Sequence, residues 1–183
     1  MFDYRLRLFY PVNVEHRDPV FGKELLEHYG GKNSEFSAAV QYINHLSNMP
    51  NHFVRELLGH IAAEELGHMQ MIAMAINKLG GPFPSYINSQ EMPWNIECID
   101  QCLDPVAMLE ADIEAENRSR ELYRQHITMT KDSGLTKMLY FLSEREYVHK
   151  KLLQKAKNYI QQGANVDEFT ELINEYKMSL HMW

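Results

Sequence analysis

Four residue pairs in this chain share one spacing. Glu35 and Glu116, Tyr42 and Tyr123, Glu65 and Glu146, and His68 and His149 each stand 81 positions apart. One offset that superposes two carboxylates, a phenol and an imidazole on identical residues marks an internal duplication. Each copy contains a Glu-x-x-His stretch, Glu65-Leu66-Gly67-His68 and Glu146-Tyr147-Val148-His149. On a helix, residues three apart lie on one face, so both side chains can reach one point. Such a pair alone says little, since a chain with this many Glu and His contains about one by chance at the spacing a helix rewards. The shared offset gives it weight. One lone Glu and one Glu-x-x-His from each copy make up the ligand set of a carboxylate-bridged di-iron or di-manganese centre in a helical bundle.

The surrounding pattern is helical almost throughout. Asp18-Pro19 predicts a capped short helix that stops at Gly30-Gly31. Four main helices are expected at 34–48, 51–78, 105–131 and 135–161, and a last amphipathic segment at 166–180. Short turns within each pair predict two antiparallel hairpins. The connection at 80–103 is different. Its 24 residues reach roughly 80 Å when extended, while helix 51–78 is about 40 Å long. It can therefore cross the whole bundle. The expectation is a single all-α domain over 1–183, a ferritin-like four-helix bundle with a long crossover between helices 2 and 3. An N-terminal arm at 1–17, a core bundle at about 33–161 and a C-terminal helix at about 165–181 complete it.

The Glu and His residues interrupt apolar stripes. One stripe reads Leu58, Ile61, Glu65, His68, Ile72, Ala75, and another Leu139, Leu142, Glu146, His149, Leu153, Ala156. Glu35 and Tyr42 share a face with Ala39 and Leu46, and Glu116 and Tyr123 share one with Leu109 and Ile113. Uncompensated carboxylates in such stripes cost several kcal/mol each. Two divalent cations remove that penalty, and only Arg120 or Arg145 offers an alternative counter-charge.

Other residues carry weaker signals. His16, His28, His45, His52, His60, His126 and His181 read as surface or partly buried structural histidines. Glu64 points about 100° away from Glu65 around the helix and reads as a flanking residue. The methionines read as core filler and interface surface. Cys98 and Cys102 read as free structural thiols rather than a redox pair or a soft-metal site. They are also too few for a disulfide framework. The net charge of −7 argues against nucleic acid or an anionic membrane as partner, because no basic excess is available. No segment approaches the ~20 apolar residues of a membrane span. The opening Met1-Phe2-Asp3-Tyr4-Arg5 lacks the apolar core of a secretory signal, so a cytoplasmic chain is expected.

At these residues the chain resembles the manganese catalase family, most like its short spore-coat members known as CotJC proteins. The resemblance is carried by Tyr10-Pro11-Val12, Tyr29-Gly30-Gly31, Glu35-Phe36-Ser37-Ala38-Ala39 with Tyr42, and the stretch from Ile61 to Ala73. It continues through Asp112 to Arg120 with Tyr123, and Phe141 to His149. It implies five metal ligands, Glu35, Glu65, His68, Glu116 and His149, with Glu65 as the bridge. Glu146 would then exchange peroxide protons from outside the ligand set, and Tyr42 would hydrogen-bond near the centre. It also implies two Mn ions per subunit, hydrogen peroxide as substrate, and a homo-oligomer, commonly a hexamer. Spore-coat proteins are implied as further partners, and the spore coat as a location. Spacing does not choose Mn over Fe, and the resemblance does. The competing readings are a di-iron ferritin-like ferroxidase or peroxidase, and a coat protein that keeps the bundle with little turnover.

Overall fold

The computed structural model describes residues 10–181. The first nine residues of the expected N-terminal arm lie outside them. The order of helices is α1 (Pro19–Glu24), α2 (Leu26–Gly30), α3 (Glu35–Asn48), α4 (His52–Leu79), α5 (Pro105–Met129), α6 (Ser133–Gln162) and α7 (Val166–Ser179). The four main helices match the expected ones to within two residues at each end. The expected first helix is instead two short ones that break at Leu25. No proline or glycine marks that break. Leu25 and Leu26 are both fully buried, so packing against α4 sets it.

Local chemistry explains the boundaries. Asn51 and Asp132, themselves 81 positions apart, cap α4 and α6 with side-chain oxygens that accept free backbone N–H groups. Asp104 does the same for α5, with Pro105 at its first position. Gly80 ends α4 with φ at 73°, a conformation costly for any residue with a Cβ.

The bundle packs as two hairpins, α3 on α4 and α5 on α6. Its core is divided into two apolar clusters. One contains Leu58 and Ile61 from the first half of α4, Met108 and Leu109 from the start of α5, and Leu153 and Ala156 from the second half of α6. The other contains Ile72 and Ala75 from the second half of α4, and Leu139 and Leu142 from the first half of α6. Helices α4 and α6 therefore run antiparallel. Helix α4 ends in the second cluster and α5 begins in the first, so the connection between them traverses the bundle as its length allowed.

That crossover lies against α2 and α3. Gly22 and Gly81 touch so closely that a Cβ at Gly22 would meet the Gly81 Cα at 3.0 Å. Further on, Tyr86 stacks on Phe36 at 4.4 Å, Trp94 Nε1 donates to Ser37 Oγ at 2.9 Å, and the Asp100 amide donates to Gln41 Oε1 at 2.8 Å. Among the described residues no helix is long and apolar enough to cross a membrane.

Candidate metal centre

Between the two apolar clusters lies a polar layer. Glu35, Glu65, His68, Glu116, Glu146 and His149 are all at most 1 % exposed. Helices α3 and α5 each supply one Glu, and α4 and α6 each supply a Glu-x-x-His pair. The six form two overlapping groups. Glu35, Glu65, His68 and Glu146 offer donor atoms within 4.8 Å of one another, and so do Glu65, Glu116, Glu146 and His149. Glu65 and Glu146 belong to both.

The histidines turn Nδ1 inward. His68 Nδ1 lies 2.8 Å from Glu65 Oε2, 3.5 Å from Glu146 Oε1 and 3.6 Å from Glu35 Oε2. His149 Nδ1 lies 2.8 Å from Glu65 Oε1 and 3.6 Å from Glu116 Oε1. The tyrosines bond crosswise between the duplicated halves. Tyr42 donates to Glu116, and Tyr123 donates to Glu35. Tyr42 was singled out from the sequence, and its repeat mate holds the mirror position. The 81-residue offset was the signal for it.

Neither candidate counter-charge reaches the four carboxylates. Arg120 pairs with Glu144 at 3.0 Å. Arg145 is fully buried and forks onto Glu64, with Nε donating to Oε1 at 2.6 Å and Nη2 to Oε2 at 3.2 Å. Glu64 is therefore not a flanking residue. It is 7 % exposed, and its two oxygens stand 3.4 Å from His68 Nε2 and 3.1 Å from His149 Nε2. One carboxylate thus faces the outer nitrogens of both rings. Against its burial, the charge of His149, the nearness of both imidazoles and then Arg145 hold it well below the usual carboxylate range. Helix α7 braces this pair. Tyr176 donates to Glu64 Oε2 at 2.9 Å, and Arg145 donates to Ser179 O at 3.0 Å and Ser179 Oγ at 3.1 Å. Glu64 and Arg145 are also 81 positions apart, so the duplication placed them and divergence gave them opposite charge.

Electrostatics show what the layer lacks. Burial and the neighbouring Glu65 push the Glu35 carboxyl up to about 8. Burial and Glu146 push Glu116 well above its ordinary value. Against burial, the charge of Glu65 holds His68, and that of Glu64 holds His149, well above the ordinary imidazole value. The layer demands positive charge, and protons alone satisfy it poorly. Glu35 Oε2, Glu65 Oε1, Glu116 Oε2, Glu146 Oε1 and His149 Nδ1 are buried without a hydrogen bond. Orphaned oxygens and an imidazole nitrogen aimed at shared points fit a pair of hard-to-borderline divalent cations such as Mn or Fe. Soft metals would need sulfur, which is absent from the layer.

A narrow cavity of about 10 Å³ reaches this layer, lined by Tyr42, Glu116, Glu146 and Ser119 within and by Asn33 and Arg118 outside. It opens beside a surface depression of about 470 Å³ that shares Lys32, Asn33, Gln41, Cys98 and Arg118.

Comparison with known proteins decides the kinship. The family description "Manganese containing catalase" matches residues 1–85 and 80–170. The chain belongs to the manganese catalase family. Within it, the chain is 33 % identical over 176 residues to protein CotJC of Bacillus subtilis strain 168, covering 85 % of this chain and 93 % of that relative. The crystal structure of KatB, a manganese catalase from Anabaena PCC7120, superposes with a TM-score of 0.80 at 27 % identity, covering 90 % of this chain and 82 % of KatB. Rhodobacter capsulatus bacterioferritin shares the fold alone, with a TM-score of 0.62 at 22 % identity over 85 % of this chain and 94 % of that one. The fold is thus the ferritin-like bundle expected of the family.

Proposed function

We propose that the chain is a dimanganese catalase of the spore-coat type, converting hydrogen peroxide to water and oxygen. One observation carries the reading. Four carboxylates and two imidazoles from two repeated hairpins converge in a buried layer where each carboxylate keeps one oxygen, and His149 its Nδ1, without a hydrogen bond. Glu35, Glu65, His68, Glu116 and His149 would hold the metal ions, with Glu65, shared by both groups, as the bridge. A pair of redox-active metal ions bound there would accept two electrons from one peroxide molecule and give two to another.

The remaining residues serve that exchange. Glu146 lines the cavity and would take a proton from entering peroxide and return it to departing water. Its membership of both donor groups gives it reach to either side of the centre. Tyr42 and Tyr123 fix the carboxylates of Glu116 and Glu35, and both phenols stay protonated because burial raises them well above their ordinary value. Glu64 orients both imidazoles from behind, as outer partners of ligating histidines do. The narrow cavity, at about 10 Å³, holds about one water-sized molecule, so only small molecules have a way to the layer by this route. The Leu and Ile clusters on either side keep bulk water out.

The family relationship favours manganese over iron, and likeness to CotJC favours a coat location, coat-protein partners and a homo-oligomer. Oxygen release on adding peroxide to the manganese-loaded full-length chain tests the activity. Iron oxidation without oxygen release would assign the bundle to the ferroxidases. No turnover of either kind would leave a structural coat protein.

A further inference from the structure

A second donor cluster lies outside the dinuclear layer, where the crossover meets the bundle. His45 on α3 is fully buried, which corrects its reading as a surface or partly buried residue. Its Nδ1 lies 2.8 Å from Asp112 Oδ1 on α5, and Gln41 Nε2 donates to that same oxygen at 2.8 Å. Asp112 is itself fully buried. A carboxylate at Nδ1 selects the tautomer with the proton there, so the Nε2 lone pair points away from Asp112.

What Nε2 faces is unusual. It is buried without a hydrogen bond, and at 3.5 Å stands Asp100 Oδ1. Asp100 Oδ1 also accepts from the Cys102 amide at 2.9 Å, and against burial Asp112 and then Asp100 hold the His45 imidazole above its ordinary value, so the place between Nε2 and Oδ1 calls for positive charge, either a proton or a metal cation. Cys102 completes the group. The donor atoms of His45, Asp100 and Cys102 all lie within 4.8 Å of one another. The Nε2–Oδ1 distance is close to the ~3.4 Å edge set by two donors about 2.1 Å from one tetrahedral ion. Asp100 and Cys102 both sit on the irregular crossover, where burial and then the Asp100 carboxylate push the Cys102 thiol up to about 12, so an entering metal ion has to displace the thiol proton.

We propose that His45, Asp100 and Cys102 form a mononuclear site for a thiophilic divalent cation, of which Zn²⁺ is the type, with Asp112 as the carboxylate behind the ligating imidazole. Imidazole, carboxylate and thiolate are all ligands of zinc, and three protein ligands leave a fourth position for water. The dinuclear layer has no sulfur, so the donor sets discriminate between the two metals. Binding releases the thiol proton to solvent as the S–metal bond forms. The occupied site would pin the end of the crossover to α3 and α5, one turn from Tyr42 and from Glu116.

Cobalt(II) is the probe, because only a thiolate ligand gives an intense near-ultraviolet sulfur-to-cobalt charge-transfer band. The full-length protein, its dinuclear centre first filled with manganese, is titrated with Co²⁺. The expected result is a charge-transfer band that saturates at one equivalent and is lost on adding one equivalent of Zn²⁺. Cys102→Ser should remove the band entirely while leaving the manganese content unchanged, and Cys98→Ser should keep it. His45→Gln should also remove it. Since that buried change risks the fold, the partly exposed Cys102 carries the test. Absence of the band at saturating Co²⁺, or its survival in Cys102→Ser, would overturn the proposal. Either result would leave the dinuclear reading untouched, because that centre contributes no sulfur.

Discussion

The two hairpins repeat the same Glu and Glu-x-x-His residues, yet one residue away they diverge. In the first, Glu64 follows the shared pattern as an acid, and in the second the equivalent position is Arg145. The pair joins across the bundle and presents one carboxylate to both imidazoles. A strictly symmetric bundle would place two acids, or two bases, against one another there. Divergence therefore created the part that orients the rings, while repetition kept the parts that face the centre. The halves differ again one turn beyond Tyr42 on α3 and Tyr123 on α5. His45 and His126 are related by the same offset, but His45 bonds to Asp112 whereas His126 bonds to His28 at 2.9 Å.

The largest effect is expected where both hairpins must agree. Glu65→Ala or His68→Ala should abolish metal retention and oxygen evolution together, read by elemental analysis and an oxygen electrode. Retention of both ions in either variant would remove that residue from the ligand set. The repeat mate of Glu65 should behave differently. Glu146→Gln should keep the metal and slow turnover by ~10²–10⁴-fold, the usual contribution of a positioned proton carrier. Loss of metal in that variant would make the two hairpins equivalent and place Glu146 among the ligands.

Smaller changes sharpen the asymmetry behind the rings. Glu64→Gln should weaken metal affinity by ~10–100-fold, as loss of an outer partner of ligating histidines does, measured by chelator competition. Arg145→Gln should destabilise the fold by about 3–5 kcal/mol, because it leaves a buried carboxylate without its guanidinium. Denaturant titration of the metal-loaded protein reads that loss.

The smallest effect concerns the pair that His126 of α5 makes with His28 of α2. Burial, and then the charge of His126, push His28 well below the ordinary 6.5, and burial also lowers His126. Folded, the pair stays neutral, while the unfolded chain takes up protons near 6.5. The stability it contributes is therefore complete above about pH 6.5 and declines as pH falls, by up to about 1.4 kcal/mol per pH unit for each proton. His28→Gln should flatten the fall of the unfolding midpoint between pH 7 and pH 5, and an unchanged slope would contradict the assignment.

Much of this was legible in the sequence, for physical reasons that also show where legibility ended. Asn51, Asp104-Pro105, Gly80 and Gly163 announce helix ends through their own backbone and side-chain chemistry. The Glu and His stripes announce the layer because helical periodicity is a local property. Glu64 escaped because nothing on α4 itself supplies its partners, and only α6 and α7 bring Arg145 and Tyr176 onto it. The amphipathic character of α7 was visible, but its docking place was not. The burial of His28, His45 and His126 likewise depends on segments distant in the chain. Leu25, which breaks the first helix, has no breaker chemistry at all.

The central claim is that five side chains from two repeated hairpins hold two cations, with Glu146 beside them as the proton carrier. Elemental analysis of the full-length chain, purified from cells supplied with manganese and iron together, tests it most directly. Two manganese ions per chain in the unaltered protein, falling to none in Glu65→Ala with the helical content intact, is the predicted result. A folded, unaltered protein that binds no transition metal at the dinuclear layer would contradict it.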